Sequence, residues 1–366
     1  MRTIATPNSV RPDSRLRGNE RWTGRPAFTR RTLLAGASAA LLVPRNARAA
    51  TITDDGKRTV VIPAKVQRVI PAGRPAAILL YTFAPDLLLG WTHANRPEEC
   101  AYLLPDVCAR PDIGRLTGRG SAIDAARIAA LKPDLILDVG AISERYASLA
   151  NRVQEQTKIP YALLDGSVLS LSTTYEKLGK LIGRERDGLD FADYCNMTLG
   201  AVTNRIAFVP AEKRPRVYYA RGPQGLTTGL GGASHVETIE LLARNVAGER
   251  KGELGDVSIE QVARWNPDVI VASDRNFAGK ARNDPAWAGI KAVRDGRVHV
   301  APSLPFGWVD APPSANRLIG LWWLATTLYP QQFKEDIREL TREFFTKFYH
   351  VTPTDARIGH ALERRI

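Results

Sequence analysis

Five histidines, at positions 93, 235, 299, 350 and 360, and three cysteines, at 100, 108 and 195, are the soft or titratable side chains this 366-residue chain offers for metal or nucleophilic chemistry. No two histidines stand three to five apart and no Cys-x-x-Cys occurs, so the spacings that build a zinc site are missing. Gly-x-Ser-x-Gly, His-Glu-x-x-His and the Gly-x-x-x-x-Gly-Lys-Ser/Thr phosphate loop are also absent. Gly229-Leu-Gly231-Gly-Ala-Ser234 begins like a dinucleotide fingerprint but carries Ser at the third glycine, and it reads as a turn packed close to a ligand or a neighbour. Binding without catalysis is the expectation, with no catalytic residue, no intrinsic cofactor and no resident metal; an exported enzyme acting on an anionic small molecule is the alternative.

The residues left are bulky polar and aromatic ones where β-strands are predicted to end, which is where open α/β sheets place ligands. Arg74, Trp91, His93 and the turn Asp138-Val-Gly140 come from the first half; Tyr219, Arg221, His235, Arg275, Phe306 and Trp308 come from the second. A guanidinium forks onto carboxylates and oxyanions, and Trp, Tyr and Phe add flat apolar faces, so the set predicts an anionic ligand with an apolar part. Cys100 and Cys108 lie eight apart in a loop-like stretch and are free to pair in an oxidising compartment or to remain thiols; Cys195 reads as a packed helix residue.

The elements that must position these residues follow a strand-then-helix rhythm that runs twice. Thr59–Ile62, Gln67–Ile70 and Leu87–Trp91 read as strands, and Ala76–Phe83 reads as a helix. Ile123–Leu137 then matches Val257–Val271 at a constant offset of 134 residues, aligning Ala129 with Ala263 and Pro133-Asp134 with Pro267-Asp268. Each copy spells an amphipathic helix, a Pro-Asp turn and a short buried strand. Between the copies, Leu189, Ala192, Cys195, Leu199, Val202 and Ile206 trace one helical stripe. Strands over Arg216–Ala220 and Arg297–Ala301, a helix over Val236–Ala243 and a helix capped by Ser314 complete the second half. The predicted fold is α/β: two similar lobes, each a mostly parallel sheet flanked by helices, joined by one long α-helix with the ligand cleft between them. The first lobe spans 50–186, the connecting helix 187–212, and the second lobe, with the terminal helices, 213–366.

Charge separates residues 1–49 from the rest. Lys and Arg exceed Asp and Glu by 13, yet residues 1–49 hold ten Arg against Asp13 and Glu20, which leaves only +5 over the remainder. That balance gives no polyanion footprint, so nucleic acid is not an expected partner. Within 1–49, Arg30-Arg31 precedes a short apolar run from Leu33 to Val43 and an Ala47-Arg-Ala49 site. The run is too short to span a bilayer. The segment resembles a cleavable twin-arginine export signal, which predicts a periplasmic protein.

The chain as a whole resembles the periplasmic solute-binding proteins of the iron-complex type, which bind ferric siderophores, haem or cobalamin and feed an ABC importer. The twin helix–Pro-Asp–strand copies, the single long helix, Asp284–His299 with its Trp287, Ala292-Val293 and Gly296-Arg-Val298, and Pro305-Phe-Gly-Trp308 through Pro312-Pro-Ser314 carry the resemblance. The last stretch is most similar to the subgroup handling iron complexes or molybdate and tungstate. The resemblance implies a monomeric capture protein for a metal chelate of the ferric-siderophore kind, with an oxyanion, haem or cobalamin as alternatives, and an ABC permease as partner. It also implies one permease-facing acid per lobe on the helix before Pro-Asp. Glu260 fills that place in the second lobe; Ala126 stands there in the first, leaving Asp124 as the nearby acid.

Overall fold

The computed structural model describes residues 50–118 and 123–362; the export signal read over 1–49 lies outside them. Two parallel sheets carry the fold. In the first lobe β1 (Ala50–Thr53) and β2 (Thr59–Ile62) form an antiparallel hairpin, and β3 (Val69–Pro71), β4 (Leu135–Gly140) and β5 (Tyr161–Asp165) run parallel in the order β3-β4-β5. In the second lobe lie β6 (Arg216–Ala220), β7 (Thr227–Gly229), β8 (Arg244–Asn245), β9 (Leu254–Asp256), β10 (Val269–Ala272) and β11 (Val298–Val300). Its parallel sheet has the order β11-β10-β6-β8, and β7 pairs antiparallel with β9. The central strands are apolar runs, broken only by Asp138, because helices cover both faces: every residue of Val269–Ala272 and all of Leu135–Val139 are buried.

The sequence repeat has a physical basis in its Pro-Asp pair. Asp134 Oδ2 accepts the backbone N–H groups of Gln67 and Arg68 at 2.8 and 2.9 Å, and Asp268 Oδ2 accepts that of Arg216 at 2.9 Å. Each aspartate thereby pins the start of a central strand to the start of its neighbour. The preceding helices, Ala125–Ala130 and Ile259–Trp265, are capped at matching positions by Asp124 and Ser258.

The long helix runs Glu185–Ala207, and the chain turns through Ala211–Lys213 where the helix was expected to continue to 212. Ala192, Cys195, Val202 and Ile206 are buried as the stripe requires, but Leu189 is exposed and Phe191 takes its place. The helix lies against Leu171–Ile182 at a glycine crossing. A Cβ on Gly188 would stand 2.8 Å from the Tyr175 carbonyl oxygen and 3.2 Å from Gly179 Cα, so only glycine permits the approach.

Three local expectations are corrected. Leu87–Trp91 is no strand: a 3₁₀ turn over Pro85–Leu87 leads into single bridges from Leu88 to Val69 and from Trp91 to Asp112, since Pro85 sets a turn geometry at its start. Ser314 does not cap the helix Arg317–Leu328; Asn316 occupies the cap position, and the Ser314 hydroxyl accepts the Asn316 N–H at 3.4 Å. The helices Ile337–Phe348 and Asp355–Leu362, expected with the second lobe, pack on first-lobe and long-helix aromatics. Phe345 meets Tyr102 at 5.5 Å between ring centroids, Tyr349 meets Tyr81 at 5.6 Å, and Phe348 meets Phe191 at 4.9 Å.

Candidate functional site

Backbone hydrogen bonds draw three first-lobe segments together at the carboxyl end of β3. Leu116 and Thr117 N–H both donate to the Ala72 carbonyl, at 2.7 and 2.9 Å, and Trp91 N–H donates to Pro111 O while Ile113 N–H donates to Trp91 O, each at 2.9 Å. Arg74, His93, Asn95 and Arg115 are thereby gathered, all half-buried. Arg74 opens the helix Arg74–Phe83, whose first turn has no capping side chain and no acid to offset the positive end of its dipole. Gly73 is required there, because a Cβ would stand 2.4 Å from Thr117 Oγ1.

Polar atoms in this cluster are buried without partners. Among the described residues, Arg74 Nε, Arg115 Nε, both ring nitrogens of His93 and both amide atoms of Asn95 make no hydrogen bond. Unmet buried donors are costly, typically ~1–3 kcal/mol each, so their concentration singles this cluster out as a candidate site. Burial, then the Arg74 charge, lowers the proton affinity of His93 against the pull of Glu99 and Asp112. Burial likewise lowers that of Arg74, with Glu99 opposing and Arg115 and Arg96 adding to the shift. Glu99 is itself held by the backbone N–H and guanidinium of Arg96. Behind the cluster Thr117 donates to Asp138 at 3.4 Å, and Tyr161 donates to Asp138 at 2.9 Å.

The second-lobe cluster is organised by a residue that sequence reasoning missed as a functional group. Asp310, fully buried, accepts from His235 Nδ1 at 2.8 Å and from the Tyr219 hydroxyl at 3.4 Å. Arg221 Nε stands 2.8 Å from Asp310 Oδ2 as an ion pair without an aligned N–H. Burial alone would push the Asp310 carboxyl up, but the His235 hydrogen bond and the Arg221 and His235 charges outweigh it and hold it below the ordinary carboxylate range. Arg221 and His235 each keep about a fifth of their side-chain surface exposed. The loop that brings Asp310 here also reaches the first lobe, where Phe306 packs on Trp91 at 6.0 Å between centroids. Four residues of chain from Phe306 to Asp310 span at most about 14 Å, so one short loop ties the Asp310 cluster to the first lobe.

Arg317 locks the lobes together. It is fully buried, pairs with Glu237, and donates to the carbonyls of Gly166 in the first lobe and Ser314 in the second. Glu237 in turn accepts the N–H of first-lobe Val168 at 2.8 Å.

Four of the ten residues expected to touch ligand are corrected. Trp91, Phe306, Trp308 and Tyr219 are at most 2% exposed and belong to the core. Trp91 Nε1 donates to Val107 O and Trp308 Nε1 to Leu304 O, and rings of the terminal helices cover Phe306 and Trp308 from the far side. Arg74 and His93 come together with Arg115, and Arg221 comes together with His235. Gly140 instead packs against Gly166, whose Cβ would stand 2.8 Å from its backbone, and Arg275 lies exposed on the first turn of Arg275–Asn283. Cys100 and Cys108 form a disulfide with a Cα separation of 5.6 Å. It closes the segment just beyond His93, Asn95 and Arg96.

Comparison with known proteins agrees with this architecture. The chain is 26% identical over 322 residues to the molybdate-binding protein MolA of Haemophilus influenzae, covering 82% of this chain and 91% of that one. Among solved structures, an ABC transporter solute binding protein from Sulfurospirillum deleyianum superposes with a TM-score of 0.78 at 24% identity, covering 86% of this chain and 99% of that one. Molybdate-bound MolA superposes with a TM-score of 0.69 at 22% identity, covering 83% and 99%. Residues 82–304 match the periplasmic binding protein family, and with the two-lobed fold the chain belongs to that family of ABC-transporter substrate-binding proteins.

Proposed function

We propose that the protein captures a small oxyanion of the molybdate or tungstate class for an ABC permease, in preference to the ferric chelate that leads from sequence. One observation carries the choice of ligand. In the first-lobe cluster Arg74 Nε, Arg115 Nε, the His93 ring nitrogens and the Asn95 amide are unpartnered, while Trp91, Tyr219, Phe306 and Trp308, which would stack on haem or a catecholate, are buried. A compact anion needs converging N–H groups and no flat apolar wall. The Haemophilus influenzae relative, by its name a molybdate binder, supports the same reading.

Calorimetric titration of the protein with molybdate, tungstate, sulfate, a ferric hydroxamate and haem tests this directly. Stoichiometric, turnover-free binding of molybdate or tungstate is expected. Arg74→Ala and Arg115→Ala should each weaken it about 10- to 100-fold, the loss of one charge-assisted hydrogen bond. Saturable binding of haem or the ferric hydroxamate with neither oxyanion bound would overturn the assignment, and chemical turnover would favour the enzyme alternative.

Delivery requires a permease partner, and Glu260 and Asp124 are the acids proposed to meet it. Both are exposed at the amino ends of the twin helices. An exposed pair contributes about 1 kcal/mol at most but steers encounter. Glu260→Ala should therefore leave ligand affinity intact and lower uptake, and wild-type uptake by the Glu260→Ala, Asp124→Ala double variant would refute the docking role. Export through Arg30-Arg31 is tested by replacing both with Lys, which should strand precursor in the cytoplasm.

A further inference from the structure

We infer that the Cys100–Cys108 disulfide is a positioning element of the anion site: it holds the segment bearing His93 and Asn95 against the segment bearing Arg115, so that reducing it lowers anion affinity. The inference rests on the oxyanion reading and names a further part of that same site.

His93, Asn95 and Arg115 are carried on the two legs of one loop. Trp91 closes its base, with its N–H on Pro111 O and its carbonyl on the Ile113 N–H. Gly90 lets the legs meet there, because a Cβ would stand 2.6 Å from Pro111 O. One leg, 92–99, bears His93 and Asn95, and the other runs from Cys108 to Arg115. The disulfide joins the legs at the far end, with 5.6 Å between the Cα atoms.

The two legs are not held alike. On the second, Val107 O accepts from Trp91 Nε1, the Arg110 guanidinium donates to the carbonyls of Pro85 and Leu88, and the Leu116 and Thr117 N–H groups are tied to Ala72 O. On the first, among the described residues, every hydrogen bond made by 92–100 stays within 96–103. Its helix, Pro97–Cys100, is a single turn, too short to hold its geometry alone. Without the disulfide this leg would swing between Trp91 and Tyr102, whose hydroxyl donates to Arg357 O. Glu99, next to Cys100 and only 3% exposed, opposes the loss of Arg74 charge that burial brings. A drifting leg therefore displaces two unpartnered side chains and the carboxylate that supports Arg74. If it keeps the competent geometry about one time in ten, affinity falls about tenfold.

Reduction is an exchange: dithiothreitol gives two electrons and two protons, the Sγ–Sγ bond breaks to two thiols, and the dithiol closes to its own disulfide. Burial pushes the Cys195 thiol up to about 12, which keeps it out of the exchange.

The test is calorimetry of tungstate binding to the oxidised protein, to protein reduced with dithiothreitol and desalted under nitrogen, and to the Cys100→Ser, Cys108→Ser double variant, each shown to be folded by circular dichroism. Both forms lacking the bond should bind about tenfold more weakly, and reoxidation of the reduced protein should restore affinity. Asp268→Asn, which lowers stability in the second lobe, should bind as wild type does. Hydrogen exchange should quicken over 92–100 on reduction while 107–117 keep their protection. A fall of less than about threefold on losing the bond, unchanged exchange over 92–100, or an equal fall in Asp268→Asn overturns the positioning role and leaves the oxyanion assignment standing. Failure of the oxidised protein to bind tungstate or molybdate, with a ferric chelate bound instead, overturns both.

Discussion

Replacing Arg317 with methionine tests whether the buried lock between the lobes stabilises the fold. The substitution keeps an unbranched apolar stem and removes three interactions: the pair with Glu237 and the donations to the Gly166 and Ser314 carbonyls. Removing one partner of a buried pair costs about 3–5 kcal/mol, chiefly because the other charge is left unpaired. Glu237 retains 23% side-chain exposure and the Val168 N–H, which places the expected loss near the lower end, about 3 kcal/mol. For a chain of this size that corresponds to a fall in Tm of roughly 6 °C. Chemical denaturation followed by circular dichroism measures the loss, and a second substitution isolates its cause. Glu237→Gln still accepts the Val168 N–H but carries no charge, so it should damage the wild-type background and recover at least ~1 kcal/mol in the Arg317→Met background. A loss below 1 kcal/mol for Arg317→Met, or equal damage from Glu237→Gln in both backgrounds, would refute the lock.

Gly307→Ala should displace the loop that carries Asp310, because a Cβ there would stand 1.6 Å from the Asp310 carbonyl oxygen; a more than tenfold loss of anion affinity is expected, and unaltered binding would show that the loop shifts freely. Cys100→Ser with Cys108→Ser should lower stability by about 2.5 kcal/mol, the chain entropy of an eight-residue loop, read as a lower denaturant midpoint matched by wild type under reductant. Asp268 is held below the ordinary carboxylate range: burial opposes the shift, and the Lys291 ammonium and the Arg216 N–H outweigh burial. Its contribution is present above the unfolded value near pH ~4 and is lost as pH falls through the folded one, so Asp268→Asn should be less stable than wild type at pH 7 and equal to it in strong acid.

The central strands β4 and β10 and the twin arrangement were legible because each copy carries its own instructions locally. Pro133-Asp134 and Pro267-Asp268 stop a helix, start a strand and pin its neighbour within one short segment. The aromatic residues were misjudged for the opposite reason. Trp308 and Phe306 follow a strand in a loop rich in Pro and Gly, which is where ligand contacts cluster, and their burial depends on Phe345 and Tyr349, some forty residues further on. Asp310 escaped notice because its partners Arg221 and His235 lie 89 and 75 positions upstream. Arg115 carries no motif, and it becomes visible only when Leu116 and Thr117 are seen tied to Ala72.

The terminal helices bear on the order in which the protein can be made. Tyr81, in the helix Arg74–Phe83, donates to the carbonyl of Tyr349, 268 positions later, and the Tyr102 hydroxyl donates to Arg357 O. Until residues 337–362 are synthesised, the first lobe lacks the layer that covers Tyr81, Tyr102 and Tyr175. Loop closure over such separations is slow, and a lobe with an open apolar face is prone to aggregate. The amino-terminal lobe is therefore not an independent folding unit despite its complete sheet. A nascent chain halted before residue 337 should expose apolar surface to a chaperone, and the native state is sealed only when the carboxyl terminus arrives.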